Sequence, residues 1–382
     1  MDFKLNEEHE ALRQTVREFA QEVVAPVIGD YYERHEFPYD IVRQMGEMGL
    51  FGLPFPEEYG GMGGDYFALC LALEELARVD SSVAITLEAG VSLGAMPIYR
   101  FGSEEQRKTY LPELCRGEKL AAFGLTEPGG GSDAGATRTT ARLEGDEWVI
   151  NGSKAFITNS GTDITSAVTV TAVTGAKPDG RKEISTILVP SGTPGFSVAK
   201  EYSKVGWLAS DTRELSFDDV RVPASNLVGE RGRGYAQFLR ILDEGRIAIA
   251  ALAVGLAQGC VDESVKYAKQ RHAFGQPIGD YQAIQFKIAD METRAYTARL
   301  AYYDAAARML AGEPFKRQAA IAKLHASEIA VTNAREATQV HGGYGFMNEF
   351  PVARFWRDSK ILEIGEGTSE VQRMLIARDL GL

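Results

Sequence analysis

The chain has 382 residues, 45% of them hydrophobic and 25% charged, and a formal net charge of -12. That length allows a large buried core, built as one multi-part unit or as two to three domains. An acidic balance with no Lys/Arg run argues against nucleic acid as a partner, because phosphate binding draws on clustered positive charge.

The first ten residues, Met1 to Glu10, are charged and lack the apolar centre of a secretory signal. From Glu7 to about Val27 apolar residues recur at helical spacing (Leu12, Val16, Phe19, Ala20, Val23). The Gly- and Pro-rich stretch from Phe51 to Gly64 reads as loop, and Phe67–Arg78, Ser82–Tyr99 and Glu104–Leu114 read as helices. At Leu120 the texture changes. Thr137–Glu144 alternates in the manner of a strand, Gly145-Asp146 is a turn signal, and Trp148-Val149-Ile150 begins the return strand. Further strands are expected at Ala167–Ala172, Ile184–Val189, Phe196–Lys200 and Glu214–Val222. Beyond Val228 the pattern predicts long helices at Tyr235–Gln270, Tyr281–Ala311 and Phe315–His341, then a short one at Thr368–Leu380. The expected division is therefore an N-terminal α-helical domain at 1–120, a middle β domain at 121–228 and a C-terminal helical bundle at 229–382. No uninterrupted apolar run approaches the ~18 residues of a membrane span. Cys70, Cys115 and Cys260 are widely spaced and read as reduced core thiols of a cytoplasmic protein. The histidines are scattered without metal-ligand spacing, so no metal site is expected.

Three segments carry candidate chemistry. Near the C-terminus, Glu366 stands between Gly365 and Gly367, ahead of an N-cap signal in which Ser369 and Gln372 have capping-box spacing. The flanking glycines let backbone approach a flat ligand; an acidic turn before a surface helix is the plainer reading. In Phe123–Asp133, Gly129-x-Gly131-x-x-Ala134 superficially satisfies a dinucleotide fingerprint, but a Thr-rich strand follows where that fingerprint needs a helix. The loop still offers backbone amides and the Ser132 hydroxyl, a nest able to hold a pyrophosphate, or else forms a surface turn. In Lys154–Asn159 an aromatic, Phe156, precedes the hydroxyl of Thr158 by two residues, an arrangement that suits a flavin edge but also an ordinary core strand.

Taken with Arg271–Gly275, Gln276-Pro277-Ile278, Leu215–Pro223 and Gln339–Gly345, these segments resemble the acyl-CoA dehydrogenases over essentially the full length. The resemblance implies that family's architecture: an N-terminal all-α domain, a middle β-barrel or β-sandwich domain and a C-terminal four-helix bundle. It further implies FAD as cofactor, cradled by Phe123, Leu125, Thr126, Gly131, Ser132, Phe156, Ile157 and Thr158. The family usually has Trp where this chain has Phe156. Arg271, Phe274, Gln282, Gln339, Val340, His341, Gly342 and Gly343 match positions that reach the FAD of a neighbouring subunit, and Thr368 and Glu370 match its adenine-ribose end.

Carried over by position, Glu366 is the base that takes the α-proton of an acyl-CoA thioester as the β-hydrogen leaves as hydride to flavin N5. Ser132, Asp243, Arg246, Gly365 and Gly367 match substrate contacts, although Asp243 and Arg246 equally suit a helix-surface ion pair. Glu88 matches a polar pocket floor. Some branches carry the base on the segment matching Leu242–Arg246, just before the arginine. Here that position is Gly245, which leaves Glu366 as the base. The resemblance also implies a homotetramer that passes electrons to an electron-transfer flavoprotein and acts on short or branched acyl chains. Medium-chain dehydrogenation, an oxygen-reactive oxidase of the same fold and a non-catalytic nucleic-acid-associated homologue are the alternatives; retained Glu366 and the acidic surface speak against the last.

Overall fold

The computed structural model describes residues 4–382, so the part of the N-terminal expectation that concerns Met1–Phe3 lies outside the described residues. Seven helices come first: α1 (Glu7–Phe19), α2 (Ile28–Arg34), α3 (Tyr39–Glu47), α4 (Tyr66–Ala77), α5 (Ser81–Glu88), α6 (Met96–Phe101) and α7 (Glu104–Cys115). Their starts are written locally. Asn6 caps α1 by accepting from the His9 amide at 2.7 Å, and Asp65 caps α4 through the Ala68 amide at 2.8 Å. A complete capping box of Ser103 and Gln106 opens α7. α4 and α5 are apolar nearly all round and accordingly buried. α5 ends at Glu88 and passes directly into a π-helical stretch, Ala89–Ala95, a distortion often found at functional sites.

The β domain contains β1 (Leu120–Gly124), β2 (Thr140–Glu144), β3 (Glu147–Thr158), β4 (Thr165–Ala176), β5 (Lys182–Pro190), β6 (Phe196–Val198), β7 (Thr212–Pro223) and β8 (Leu227–Val228). They form an eight-stranded sheet in the order β6-β7-β3-β2-β4-β5-β8, with β1 parallel to β4 off that path. Trp148, Ile150, Ile187 and Phe217 belong to its separate apolar core. Two predicted strands are shorter than expected. Residues 134–136 turn as a 3-10 helix, so β2 begins only at Thr140, and β6 ends at Val198.

The C-terminal part is α8 (Gly234–Gln270), a small hairpin of β9 (His272–Ala273) and β10 (Gln276–Pro277), α9 (Gln282–Leu310), α10 (Lys316–His341), α11 (Pro351–Leu362) and α12 (Ser369–Asp379). α8 is the axis of the molecule, packed on α4, α9 and α10. α11 is a correction: no helix was expected between His341 and Thr368. Two helical stretches, Ser81–Phe101 and Gly234–Gln270, are long and apolar enough to cross a membrane by composition, but 94% and 89% of those windows are buried in the protein's own core.

One buried carboxylate joins the three parts. Asp358 on α11 accepts hydrogen bonds from Tyr32 Oη at 2.6 Å, Ser81 Oγ at 2.7 Å and the Trp207 amide at 2.7 Å. The same residue thereby ties α11, which leads into the Glu366 turn, to α5, which carries Glu88.

Candidate active site

Glu366 lies in the turn between α11 and α12, with a left-handed φ of +53°. A side-chain-bearing residue pays steric energy there, and such strain persists only where its surroundings enforce it. They do. Ser369 N donates to Glu363 O at 2.9 Å and Gly365 N to Ile361 O at 2.8 Å. The Gly367 carbonyl accepts from Gln372 Nε2 at 2.9 Å and from Lys323 Nζ at 2.8 Å. Gly367 itself has φ +95°, and a Cβ there would lie 2.8 Å from Gln372 Nε2, so glycine is required. The helix cap differs in detail from expectation. Thr368 is the N-cap, accepting from the Val371 amide, while Gln372 serves the turn carbonyls and leaves the Ser369 capping box unformed.

The carboxyl of Glu366 points at Gly245 on α8. A Cβ at Gly245 would fall 2.5 Å from Glu366 Oε2 and 3.8 Å from Glu88 Oε1. Three elements distant in sequence, α5, α8 and the α11–α12 turn, thus converge on one buried point. A side chain at 245 and the Glu366 carboxyl would compete for the same space, so this point has room for only one of them. Glu366 Oε2 and both oxygens of Glu88 are buried without a conventional donor. Burial raises the Glu366 pKa to about 7, partly offset by the adjacent Glu88 carboxyl and by the charges of Lys323 and Arg246. Burial pushes Glu88 well above the usual carboxylate range, reinforced by the nearby charge of Glu366. Burial thus disfavours the charged form of Glu88 more strongly than that of Glu366.

Around this pair, Asp243 and Arg246, matched to substrate contacts or else a surface ion pair, form an ion pair that is buried rather than at the surface, and Lys316 adds a second contact to Asp243 at 2.8 Å. Glu244 turns away to Arg100, 3.1 Å distant. Gly365 has open space beside it, since a Cβ there would make only an ordinary 3.5 Å contact to Ile361 O.

On the β domain, Phe123 and Leu125 are buried at the end of β1, while Thr126 is partly covered and Gly131 and Ser132 are exposed in the glycine loop. Phe123 stacks on Phe238 of α8, centroids 3.9 Å apart. Ile157 is buried and Thr158 partly so, at the end of β3 where it pairs with β7. Phe156 is 65% exposed at φ +60°, so this strand aromatic is not a core residue. Asn159 Nδ2 donates to Thr86 O at 3.0 Å and fixes this strand end against α5. The loop is held from beneath by a feature that the spacing of the sequence did not reveal. Lys154 is fully buried and donates to Glu127 Oε1 at 2.8 Å, Thr171 Oγ1 at 3.1 Å and Leu125 O at 3.2 Å. Glu127 in turn accepts from the amides of Arg138 and Thr139.

A separate cleft of about 510 Å³ gathers Arg271, Val340, His341, Gly342 and Gly343 with Tyr267, Ile278, Tyr344 and Met347. No residue of the glycine loop or of β3 lines it. His341 stacks on Tyr267 and donates from Nδ1 to Ala337 O at 2.9 Å. Gln339 is exposed beside the cleft, Gln282 is exposed at the start of α9, and Phe274 stands 98% exposed at φ +52° on the hairpin. A smaller cavity of about 230 Å³ is lined by Thr368, Ser369, Glu370, Arg373, Glu328, Lys360, Glu363 and Ile364.

Three family descriptions match in series: the acyl-CoA dehydrogenase N-terminal domain at residues 6–118, the middle domain at 122–220 and the C-terminal domain at 232–381. The chain belongs to the acyl-CoA dehydrogenase family. It is 44% identical over 377 residues to the short-chain-specific acyl-CoA dehydrogenase of Clostridium acetobutylicum, covering 99% of each chain. Among solved structures, butyryl-CoA dehydrogenase from Megasphaera elsdenii superposes with a TM-score of 0.96 at 42% identity over the whole of both chains. A chain from the structure of the electron transferring flavoprotein of Acidaminococcus fermentans superposes equally well, TM-score 0.96 at 43% identity, covering 100% of this chain and 99% of that one.

Acyl-CoA dehydrogenases are FAD-dependent oxidoreductases, and the residues present fit that cofactor. Phe156 offers an uncovered aromatic face next to Thr158. Ser369 Oγ is buried without a partner at the cavity that also contains Thr368 and Glu370, an orphaned polar atom of the kind a ribose or phosphate would satisfy. In the larger cleft Gly342 and Gly343 have nothing within 4 Å of a built Cβ, leaving backbone open to a ligand.

Proposed function

We propose that this enzyme oxidises short or branched-chain acyl-CoA thioesters to trans-2-enoyl-CoA, with Glu366 removing the α-proton. The observation that carries the reading is the enclosed meeting of Glu366, Glu88 and Gly245. It supplies a carboxylate acceptor, held on a strained turn, whose pKa of about 7 suits general-base work near neutrality. Among the described residues the Glu366 amide donates to no group, which leaves it to bind the thioester oxygen as negative charge develops there. A donor in that role contributes about 3 kcal/mol. Ser132, Asp243, Arg246, Gly365 and Gly367 are assigned to the thioester and acyl group, with Glu88 closing the floor. The glycine loop, Phe156, Ile157 and Thr158 are assigned to FAD, with Thr368 and Glu370 at its adenine-ribose end. When bound, FAD supplies the acceptor for the β-hydride.

Substrate size follows from the same residues. Open space at Gly365 widens the pocket beside Cα, while a buried carboxyl at Glu88 resists a long apolar tail. The names of the clostridial relative and of the Megasphaera structure, short-chain and butyryl, support the same range. An electron-transfer flavoprotein as acceptor is supported by the Acidaminococcus neighbour. A homotetramer in the cytoplasm and domain limits at 1–120, 121–228 and 229–382 complete the reading.

The test is anaerobic bleaching of the flavin by a series of acyl-CoAs. Bleaching should be fastest at roughly four to six carbons with a broad profile, because one methylene changes selectivity only ~10–200-fold. An optimum at about twelve carbons or longer, or no bleaching by any thioester, would overturn it.

A further inference from the structure

Lys323 lies on α10, and its side chain is wholly buried. Its ammonium has one hydrogen-bond acceptor, the Gly367 carbonyl at 2.8 Å, although an ammonium carries three donors. That carbonyl already accepts from Gln372 Nε2 at 2.9 Å, so a neutral donor suffices to satisfy it. What the lysine adds is charge, in a place where burying charge is costly unless it is compensated.

The groups facing the ammonium show where the compensation lies. Glu363 at the end of α11 is paired with Lys360. On α8, Asp243 is shared by Arg246 and Lys316, and Arg246 is itself cationic. Glu370 on α12 is exposed to solvent. Glu88 on α5 lies beyond Glu366, and burial strongly disfavours its charged form. Among the described residues this leaves Glu366, one residue from the carbonyl that Lys323 holds, as the enclosed carboxylate with no cationic partner of its own.

We propose that Lys323 is a positioning residue for the catalytic base: its ammonium pins the left-handed Glu366–Gly367 turn and supplies the positive field that keeps Glu366 ionised where its Oε2 is buried. The inference rests on the dehydrogenase reading, in which Glu366 must be a carboxylate when the thioester arrives. Burial drives Lys323 down to about 8 and Glu366 up to about 7, so the two groups oppose each other's desolvation within the working range. Removing the ammonium leaves burial opposed only by Glu88 and the charge of Arg246, and the base then ionises only at higher pH.

The experiment compares the wild-type holoenzyme with Lys323→Gln, Lys323→Met and Lys323→Arg, after confirming FAD content and folded circular dichroism. The rate of anaerobic flavin bleaching by butyryl-CoA is followed from about pH 6 to pH 9. Lys323→Gln keeps a donor to Gly367 without charge; its acid limb should move up by about one unit, a tenfold loss near pH 6 that is recovered at high pH. Lys323→Met should show the same shift with a lowered plateau, because the turn loses a tether. Lys323→Arg should hold the wild-type limb. An unmoved limb in Lys323→Gln or Lys323→Met, or a fall uniform across pH, would overturn the proposal. Bleaching of the wild type by butyryl-CoA tests the dehydrogenase reading separately, so the two failures are distinguishable.

Discussion

Glu366 joins a backbone feature to an electrostatic one. Its left-handed φ aims the carboxyl at Gly245, and enclosure there raises its pKa from the ordinary 4.5 to about 7. Glu366→Gln should keep the yellow colour and bind thioester, yet lose at least ~10³-fold in the rate of flavin reduction, the scale of a lost proton-transfer group. Stopped-flow bleaching checks this. A second consequence concerns stability. A group whose folded pKa is raised stabilises the fold fully below its unfolded pKa, and that contribution is lost as pH rises through about 7. Glu366→Gln should therefore match the wild type in thermal unfolding near pH 4 and exceed it near pH 8. At the preceding residue, a Cβ on Gly365 meets only Ile361 O at 3.5 Å, so Gly365→Tyr should fold. Its ring would occupy the space beside the thioester and should cut turnover of isobutyryl- or isovaleryl-CoA by roughly 10-fold or more relative to butyryl-CoA. Equal losses across that series would place the acyl branch elsewhere.

At the scale of elements, the glycine loop depends on a strut from β3. Lys154 satisfies all three of its donors on Glu127, Thr171 and Leu125, and Glu127 clasps the amides that begin β2. Lys154→Met would leave Glu127 buried without its counter-charge, at a cost of about 3–5 kcal/mol. Denaturant unfolding should register that loss, and the variant should purify with less FAD. Little of this strut was legible beforehand, because Lys154 and Glu127 are separated by 27 positions and nothing local marks an inward-facing lysine. The long helices α8, α9 and α10 were legible, since their apolar periodicity extends over many turns. α11 was not. Arg354, Arg357 and Asp358 interrupt its pattern, and two of these charges are buried through partners from elsewhere, Asp80 facing Arg354 and Tyr32, Ser81 and Trp207 meeting Asp358. The same reason hides the site's charge balance. Glu366 was conspicuous in the sequence through its two glycines, whereas Lys323 reads there as any helix lysine, and its burial against Gly367 follows from how α10 packs on the turn.

At the scale of the whole molecule, the residues assigned to FAD fall into three groups that one chain does not bring into a single cleft, with Thr368 and Glu370 in the smaller cavity. Phe123–Ser132 and Phe156–Thr158 belong to the β domain, whereas the 510 Å³ cleft is closed by Arg271 and the Val340–Gly343 turn at the far ends of α8 and α10. Beside that cleft the hairpin holds Phe274 fully in solvent and in a strained conformation, an arrangement that a lone chain has no reason to maintain. Arg271 is exposed too, with its guanidinium 5.8 Å from the Tyr344 ring centroid, and it forms no ion pair among the described residues. A second copy that brings its own cofactor to this surface would cover the phenylalanine and give the arginine an anionic partner. Arg271→Ala should then weaken FAD retention and assembly together. Loss of one charge-assisted hydrogen bond of about 1.5–3 kcal/mol corresponds to roughly 10–100-fold in FAD affinity. Sedimentation velocity read at both protein and flavin wavelengths checks both quantities in one run. Flavin should leave the protein in the same concentration range in which the oligomer dissociates, and a monomer sedimenting with a full complement of FAD would show that each chain holds its cofactor alone.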